Sequence, residues 1–117
     1  MKIELEISDV IVEKVVKGIM ENFPEASECC SLKCTKWKYE AWLYEFVDEE
    51  DRYTIGKKEL LNVFPLIFTA KWPKGLTQPP ITDLSNWETW NEWLCQCDAT
   101  DFDAFVQLAC LGEVIYG

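Results

Sequence analysis

One segment of the chain, residues 36–47, restricts the fold more strongly than any other, because most of its length has the pattern of a strand. Its apolar side chains are mainly of β-favouring types: Trp37, Tyr39, Trp42, Leu43, Tyr44, Phe46 and Val47. One face begins with charged side chains and turns apolar at Trp42, which predicts that both faces become covered after Ala41 or that a bulge resets the register there. The five-residue connection 48–52 and the short run 53–55 then predict a hairpin.

A strand and a helix are predicted before this segment. Apolar and charged residues alternate over residues 2–7, which is typical of a strand with one solvated face. Ser8 offers an N-cap for the helix that follows. The apolar stripe of this helix comprises Val12, Val15, Val16, Ile19, Met20 and Phe23. We expect the helix to span Asp9–Asn22, to end before Pro24, and to be followed by a loop over residues 23–35.

The segment after the hairpin carries apolar residues at helical spacing over residues 57–72. Pro65 lies inside this pattern and lacks the amide hydrogen that its helical position would donate. We therefore expect a kinked or broken helix, followed by a loop over the Pro- and Gly-rich residues 73–80.

Two short helices are predicted in the last third of the chain. Ser85 can cap the first, whose stripe comprises Trp87, Trp90, Trp93, Leu94 and Cys97. Thr100 or Asp101 can cap the second, whose inward residues are Phe102, Phe105, Val106, Ala109 and Cys110. Gly112 lies where a left-handed C-terminal cap belongs, and residues 113–116 could close the chain as a strand or a tucked extension.

These elements predict an α+β fold in a single domain, residues 1–117. The predicted antiparallel sheet is small and consists of segments 2–7, 36–47 and 53–55, covered on one face by the N-terminal helix and several C-terminal helices. A chain of 117 residues with 49% hydrophobic residues is long enough to close one core.

The charge of the chain excludes several classes of function. It has 21 acidic and 11 basic residues, a net charge of −10 and no histidine. We expect no direct binding of nucleic acid, since a polyanion is repelled unless a local basic patch overrides the field. Ser-His-Asp and Cys-His catalysis and His-ligated metal sites are excluded. Without a leader or spanning segment in the pattern, we expect a cytoplasmic protein with no membrane partner.

The six cysteines are at positions 29, 30, 34, 95, 97 and 110. A zinc site can be drawn from Cys29 or Cys30 together with Cys34, Cys95 and Cys97. Its spacing is poor, because one residue separates the last two thiols within a predicted helix, where such side chains diverge. We therefore expect free and largely buried thiols, and neither a metal nor a cofactor.

The acidic residues are concentrated in the last third. Residues 75–117 contain seven acids and no base, whereas residues 1–74 contain 14 acids and 11 bases. Trp87, Trp90 and Trp93 recur every third residue, so core packing is the first explanation and one of them should be partly exposed. The alternative is an aromatic anchor ringed by carboxylates, which suits a basic protein partner. The candidate partner-binding residues are Trp87, Glu88, Trp90, Glu92, Asp98, Asp101 and Asp103.

No catalytic residue is assigned. The carboxylates at positions 98, 101 and 103 fall at the start of a predicted helix, where capping and solvation are the ordinary roles. A catalytic carboxylate needs an apolar pocket or a close like charge to raise its pKa. We therefore expect a protein that is not an enzyme.

Residues 98–117 follow a pattern of short motifs. The pattern begins with Asp-Ala, continues with an Asp before an apolar-Phe pair and then Gln-Leu-Ala, and finishes with Gly-Glu-apolar-apolar-Tyr-Gly. The residues that carry this pattern are Asp98, Ala99, Asp103, Phe105, Gln107, Leu108, Ala109, Gly112, Glu113, Tyr116 and Gly117. This ending resembles that of a group of uncharacterised small phage and prophage proteins. The resemblance implies a viral origin and carries over no activity and no catalytic residue, and segments 29–34 and 73–93 depart from the group.

Two hypotheses follow. The first is an acidic protein encoded by a phage or prophage that binds a host protein in the host cytoplasm. Its binding would inhibit a defence system, and mimicry of nucleic acid is one way in which it could do so. The alternative is a binder of a small nucleotide signal that stacks a base on Trp or Tyr rings. Its anionic ligand requires basic groups to gather around it, from Lys33, Lys36, Lys38, Lys57, Lys58 or a helix N-terminus.

Overall fold

The computed structural model describes residues 7–26, 32–49 and 51–115 and has the predicted α+β fold. A three-stranded antiparallel sheet packs against the N-terminal helix and the C-terminal helices. The elements are α1 (Asp9–Ala26), β1 (Lys33–Lys38), β2 (Leu43–Val47), β3 (Arg52–Ile55), α2 (Lys57–Val63), α3 (Trp87–Gln96) and α4 (Ala99–Leu111). Residues 1–6, which hold most of the predicted first strand, lie outside the described residues.

The sheet corrects the prediction of one strand over residues 36–47. This segment forms the end of β1 and all of β2, joined by a 3₁₀ turn, Tyr39–Ala41. The turn reverses the chain because Trp42 adopts a left-handed backbone, with φ of 56°, so that Lys38 pairs with Leu43. The register does shift, but within β1 between Cys34 and Lys36. The strand order is β1-β2-β3, and the predicted hairpin of β2 with β3 is confirmed.

The N-terminal helix runs further than predicted. Helix α1 begins at Asp9 but continues through Pro24 to Ala26. A proline in the last turn costs one backbone hydrogen bond. The ring of Phe23 meets the ring of Phe46 on β2 at 5.4 Å, edge to face, and this contact holds the end of α1 against the sheet. The predicted loop 23–35 is wrong at its end, since β1 starts at Lys33.

Two helix caps differ from their predictions. The side chain of Asn86, not Ser85, accepts the backbone N–H of Glu88 at the start of α3. Asp98 caps α4 in place of Thr100 or Asp101. An N-cap residue has an extended backbone, and Asn86 and Asp98 are the residues with this conformation at the starts of α3 and α4.

Three other predictions about the helical half are confirmed. The pattern over residues 57–72 breaks at its proline, since α2 ends at Val63 and a 3₁₀ segment, Phe64–Phe68, follows. Gly112 ends α4 with φ of 77°. The chain then tucks back, and the backbone N–H of Ile115 donates to Oε1 of buried Gln107 at 2.8 Å.

Candidate partner-binding site

The three tryptophans of α3 divide between the core and the surface. Trp90 is 0% exposed and Trp93 is 4% exposed, while Trp87 is half-buried. The indole N–H of Trp90 donates to the carbonyl of Leu84 at 2.9 Å, and its ring meets that of Phe64 at 5.3 Å. Trp90 is therefore part of the core and is not accessible to a partner. Trp87 is the row's partly exposed member, as predicted.

All three candidate aspartates make hydrogen bonds within the fold, although only Asp101 is buried, Asp103 is half-buried and Asp98 is exposed. Asp101 is 3% exposed and accepts the backbone N–H and the hydroxyl of Thr77, each at 2.8 Å, and the backbone N–H of Asp98 at 2.9 Å. Asp98 completes a capping box at the start of α4. The amide of Gln107 donates to Asp103 at 3.1 Å. Asp101 is thus inaccessible, and the other two stabilise α4.

Glu88 and Glu92 remain as surface carboxylates. They are four residues apart on α3, so they lie on one face of the helix, and both are exposed. Residues 75–117 contain no base, so no basic side chain of this segment can neutralise them. We call this pair the acidic edge.

The acidic edge borders the largest cavity described, a trough of about 830 Å³. Trp87, Asn91 and Cys95 line the trough from α3, and each glutamate of the edge lies one residue further around the helix than Trp87 or Asn91. The remaining lining residues come from α1, the 39–42 turn and α3: Val10, Glu13, Lys14, Lys17, Gly18, Glu21, Tyr39, Trp42 and Leu94. The trough has a volume within the range of ordinary ligand sites.

Helices α1 and α3 approach each other closely at Gly18 and Leu94, which both line the trough. A Cβ atom placed on Gly18 would lie 2.8 Å from a methyl carbon of Leu94. The absence of a side chain at this position lets the two helices approach closely, so that both contribute to one surface.

Lysine ammonium groups lie over the aromatic rings of the trough. Nζ of Lys17 is 4.1 Å from the centroid of Tyr39 and 4.8 Å from that of Trp42, and it donates to the carbonyl of Tyr39 at 3.1 Å. Lys57 lies 5.3 Å from the ring of Trp42, and Lys14 lies 5.4 Å from that of Trp87. All four distances are within the range of cation–π attraction.

The backbone of Trp42 is in an unusual conformation for a bulky residue. A left-handed φ costs a residue with a Cβ atom about 1 kcal/mol or more relative to its ordinary conformations. The contacts of its ring with Lys17 and Lys57 offset part of this cost. The turn between β1 and β2 therefore presents the ring of Trp42 to the trough in a fixed position.

Carboxylates give the trough a mixed charge. Glu13 pairs with Lys57 at 2.8 Å, and Glu21 lines the same cavity. Burial, and then the negative charge of Glu21, raises the pKa of Tyr39 above its ordinary value. The side chain of Tyr39 is therefore a neutral phenol at physiological pH.

Of the four described thiols, Cys34, Cys97 and Cys110 are half-buried and have little nucleophilic character, while Cys95 is exposed at the trough, so the prediction of largely buried thiols is wrong. Burial raises the pKa of Cys34 to about 11 and those of Cys97 and Cys110 to about 12, with Asp101 and Asp98 adding to the shift at Cys97. Protonated thiols are poor nucleophiles. Cys29 and Cys30 lie outside the described residues, and within those described no group of three or more Cys, Asp or Glu could hold a metal ion.

Lys14, Lys17, Tyr39 and Trp42 are the site residues that sequence reasoning missed. The two lysines lie opposite the apolar stripe of α1, where a helix ordinarily presents its solvated side chains. Tyr39 and Trp42 read as strand residues, so nothing local indicates that they form a turn facing α1. The only sequence signal is the helical spacing of the lysines, which puts both on one side of α1.

Comparisons of the chain with protein-family models, with curated proteins and with solved structures each found no match. None of the helices in the described part of the chain has the length and apolar character needed to cross a membrane.

Proposed function

We propose that this chain is a non-enzymatic binding protein of phage or prophage origin, and that it recognises a basic segment of a host protein through the trough and the acidic edge. One observation carries the proposal: the partly exposed ring of Trp87 lines an aromatic trough, and two exposed glutamates lie on the adjacent face of the same helix. An aromatic anchor beside a charged rim is the arrangement that protein interfaces favour.

The charge of the molecule specifies the chemistry of the partner. A net charge of −10, with no base after Lys74, attracts a basic surface and speeds its encounter by electrostatic steering. Proteins that bind nucleic acid have such surfaces, so a host defence nuclease in the cytoplasm is the partner class we favour. The chain would then occupy part of the surface that ordinarily meets phosphates.

A catalytic role is less well supported. The buried carboxylate of Asp101 accepts three hydrogen bonds that hold the fold together, and the raised pKa values of Cys97 and Cys110 disfavour nucleophilic attack by these two thiols. The sequence contains no histidine to act as a base near neutral pH.

The alternative of a nucleotide-signal binder has weaker support from the same geometry. Its phosphates need free ammonium groups, but Lys17 is bonded to a carbonyl and Lys57 to Glu13. Lys33 and Lys36 are exposed on β1, which does not line the trough. Lys14 lies over the ring of Trp87, and the acidic edge adds negative charge beside the trough, so the site favours a cationic partner over an anionic ligand.

Charge reversal on the acidic edge tests the proposal. Immobilised wild-type chain should capture a partner from lysates of bacterial hosts at low salt, and the Glu88→Lys/Glu92→Lys variant should lose at least about tenfold in affinity, since close interfacial charge pairs carry several kcal/mol. Capture should also weaken between low and high salt.

The matched control reverses two exposed glutamates elsewhere, in Glu49→Lys/Glu59→Lys. It makes the same change in net charge and should retain binding more nearly at the wild-type level. Equal losses in the two variants, capture that salt does not affect, or no captured partner would each contradict an interface at the acidic edge.

A further inference from the structure

We propose that Tyr39 and Trp42 form a cage for an ammonium group, that Lys17 fills this cage in the free protein, and that a lysine side chain of the partner replaces it on binding. The identity of the incoming group rests on the proposed function. The cage itself does not, because an ammonium group already lies within it.

The contacts of Lys17 define what the cage binds. Its Nζ lies 4.1 and 4.8 Å from two ring centroids and 3.1 Å from the carbonyl oxygen of Tyr39, which accepts its hydrogen bond. Electron-rich ring faces and a carbonyl dipole are the partners that a cation prefers, and the arrangement resembles the aromatic sites that bind ammonium ligands. A phosphate or carboxylate would meet the negative faces of both rings.

Lys17 can leave the cage when another ammonium group takes over its contacts with the turn, while Lys57 still contacts the ring of Trp42. It lies on the side of α1 away from the buried stripe, and its four-carbon side chain can rotate outward while the helix backbone stays in place. The trough beside it has about 830 Å³ of space for an incoming chain. The cost of exchange is therefore the contacts of one ammonium group, which the incoming group restores.

The surroundings of the cage also favour a cation. Two glutamates, Glu13 and Glu21, and two lysines, Lys14 and Lys17, line the same trough, so the acidic edge beside it provides the excess of negative charge. Lys57, paired with Glu13, lies 5.3 Å from the centroid of the Trp42 ring. Lys57 thereby helps to hold this ring in position while Lys17 moves.

A small cation tests the cage directly. We would titrate tetramethylammonium chloride into the full chain and follow its methyl protons by saturation-transfer NMR, with sodium chloride at matched ionic strength as the salt control. Lys17→Met removes the ammonium group from the cage and should bind the probe about tenfold more tightly than wild type, since two cation–π contacts are then available. Lys17→Gln is a second way to empty it.

Two matched variants locate the binding. Lys74→Met removes an exposed ammonium group outside the trough, makes the same change in net charge, and should leave the affinity within about twofold of wild type. Adding Trp42→Gly to Lys17→Met should abolish the gain, and glycine suits the left-handed backbone at this position. Adding Tyr39→Leu should weaken the probe in the same way.

The inference is overturned if Lys17→Met and Lys17→Gln bind the probe no better than wild type, if Lys74→Met gains as much, or if the double variants keep the gain. A cage that binds the probe while host lysates yield no partner would overturn the proposed function and leave the cage standing. If the chain captures a partner but its Lys17 variants do not bind the probe more tightly, the cage is overturned and the proposed function stands.

Discussion

At the scale of single residues, Asp101 shows how a carboxylate assigned to a surface can be the polar centre of a buried contact. The sequence predicts correctly that it belongs to the first turn of a helix. It gives no sign that Thr77, 24 residues earlier, provides two hydrogen bonds to the same carboxylate. Local pattern describes the helix, while burial depends on which distant segment the helix meets.

We predict that Asp101→Asn lowers the free energy of unfolding by about 2–4 kcal/mol. The amide has one acceptor oxygen where the carboxylate has two, so a buried donor loses its partner and hydrogen bonds to a charged group are lost. Urea denaturation followed by circular dichroism measures the change. Glu113→Gln, at an exposed position, is the control and should stay within about 0.5 kcal/mol of wild type. A similar midpoint for both variants would show that Asp101 contributes little.

The tryptophan row was more predictable. Residues three apart on a helix are rotated by −60° for each step, so a row of three cannot share one buried direction. The sequence therefore predicts that one ring reaches the surface, and Trp87 does. Which end of the row is exposed depends on how α3 lies against α1 and the 3₁₀ segment, which spacing alone does not specify.

At the scale of elements, the turn between β1 and β2 is the largest departure from the sequence prediction. Residues 39–42 contain no Gly, Pro, Asn or Asp, the residues whose chemistry ordinarily indicates a turn. The turn instead depends on Trp42 with a positive φ and on the lysines that contact its ring from α1 and α2. A turn stabilised by tertiary contacts leaves no local pattern, and the sequence therefore predicts one strand, with a bulge as the alternative, where the chain reverses.

The cap of α3 makes a prediction at the same scale. Asn86→Ala should lower the free energy of unfolding by about 1 kcal/mol, because the backbone N–H of Glu88 loses its acceptor. Ser85→Ala, one residue earlier, should change it by less than about 0.5 kcal/mol. Urea midpoints of the two variants make the comparison. The reverse order would mean that Ser85 caps the helix in solution.

At the scale of the whole molecule, the sequence predicts the fold class and the charge asymmetry, but only the structure relates the two. The acidic segment folds so that α3 exposes Glu88 and Glu92 while the aspartates of α4 are used internally. The carboxylates of this segment exposed beside the trough are therefore those of α3, whereas Asp101 and Asp103 of α4 bond within the fold. The composition determines that the net charge is negative, and the packing of the helices determines where the negative side chains are exposed.

The buried acids of the molecule predict how its stability depends on pH. Folding raises the pKa values of Cys97 and Cys110 from 9.0 to about 12 and that of Tyr44 from 10.0 to about 12, chiefly by burial. Between pH 9 and 12 the unfolded chain has lost protons that the folded chain still holds. The stabilisation is therefore fully present below pH 9 and is lost as the pH rises towards 12.

Urea midpoints measured from pH 7 to 11 in the presence of a reductant should be level up to about pH 8.5 and then fall. Cys97→Ala/Cys110→Ala removes two of the titrating groups, so its midpoint should decline less steeply above pH 9, whatever its value at pH 7. Val114→Ala, which truncates a half-buried side chain without removing a proton, should keep the wild-type slope. If the cysteine variant declines as steeply as wild type, the two thiols are ionised in the folded protein, and the interior around them is wetter than their burial indicates.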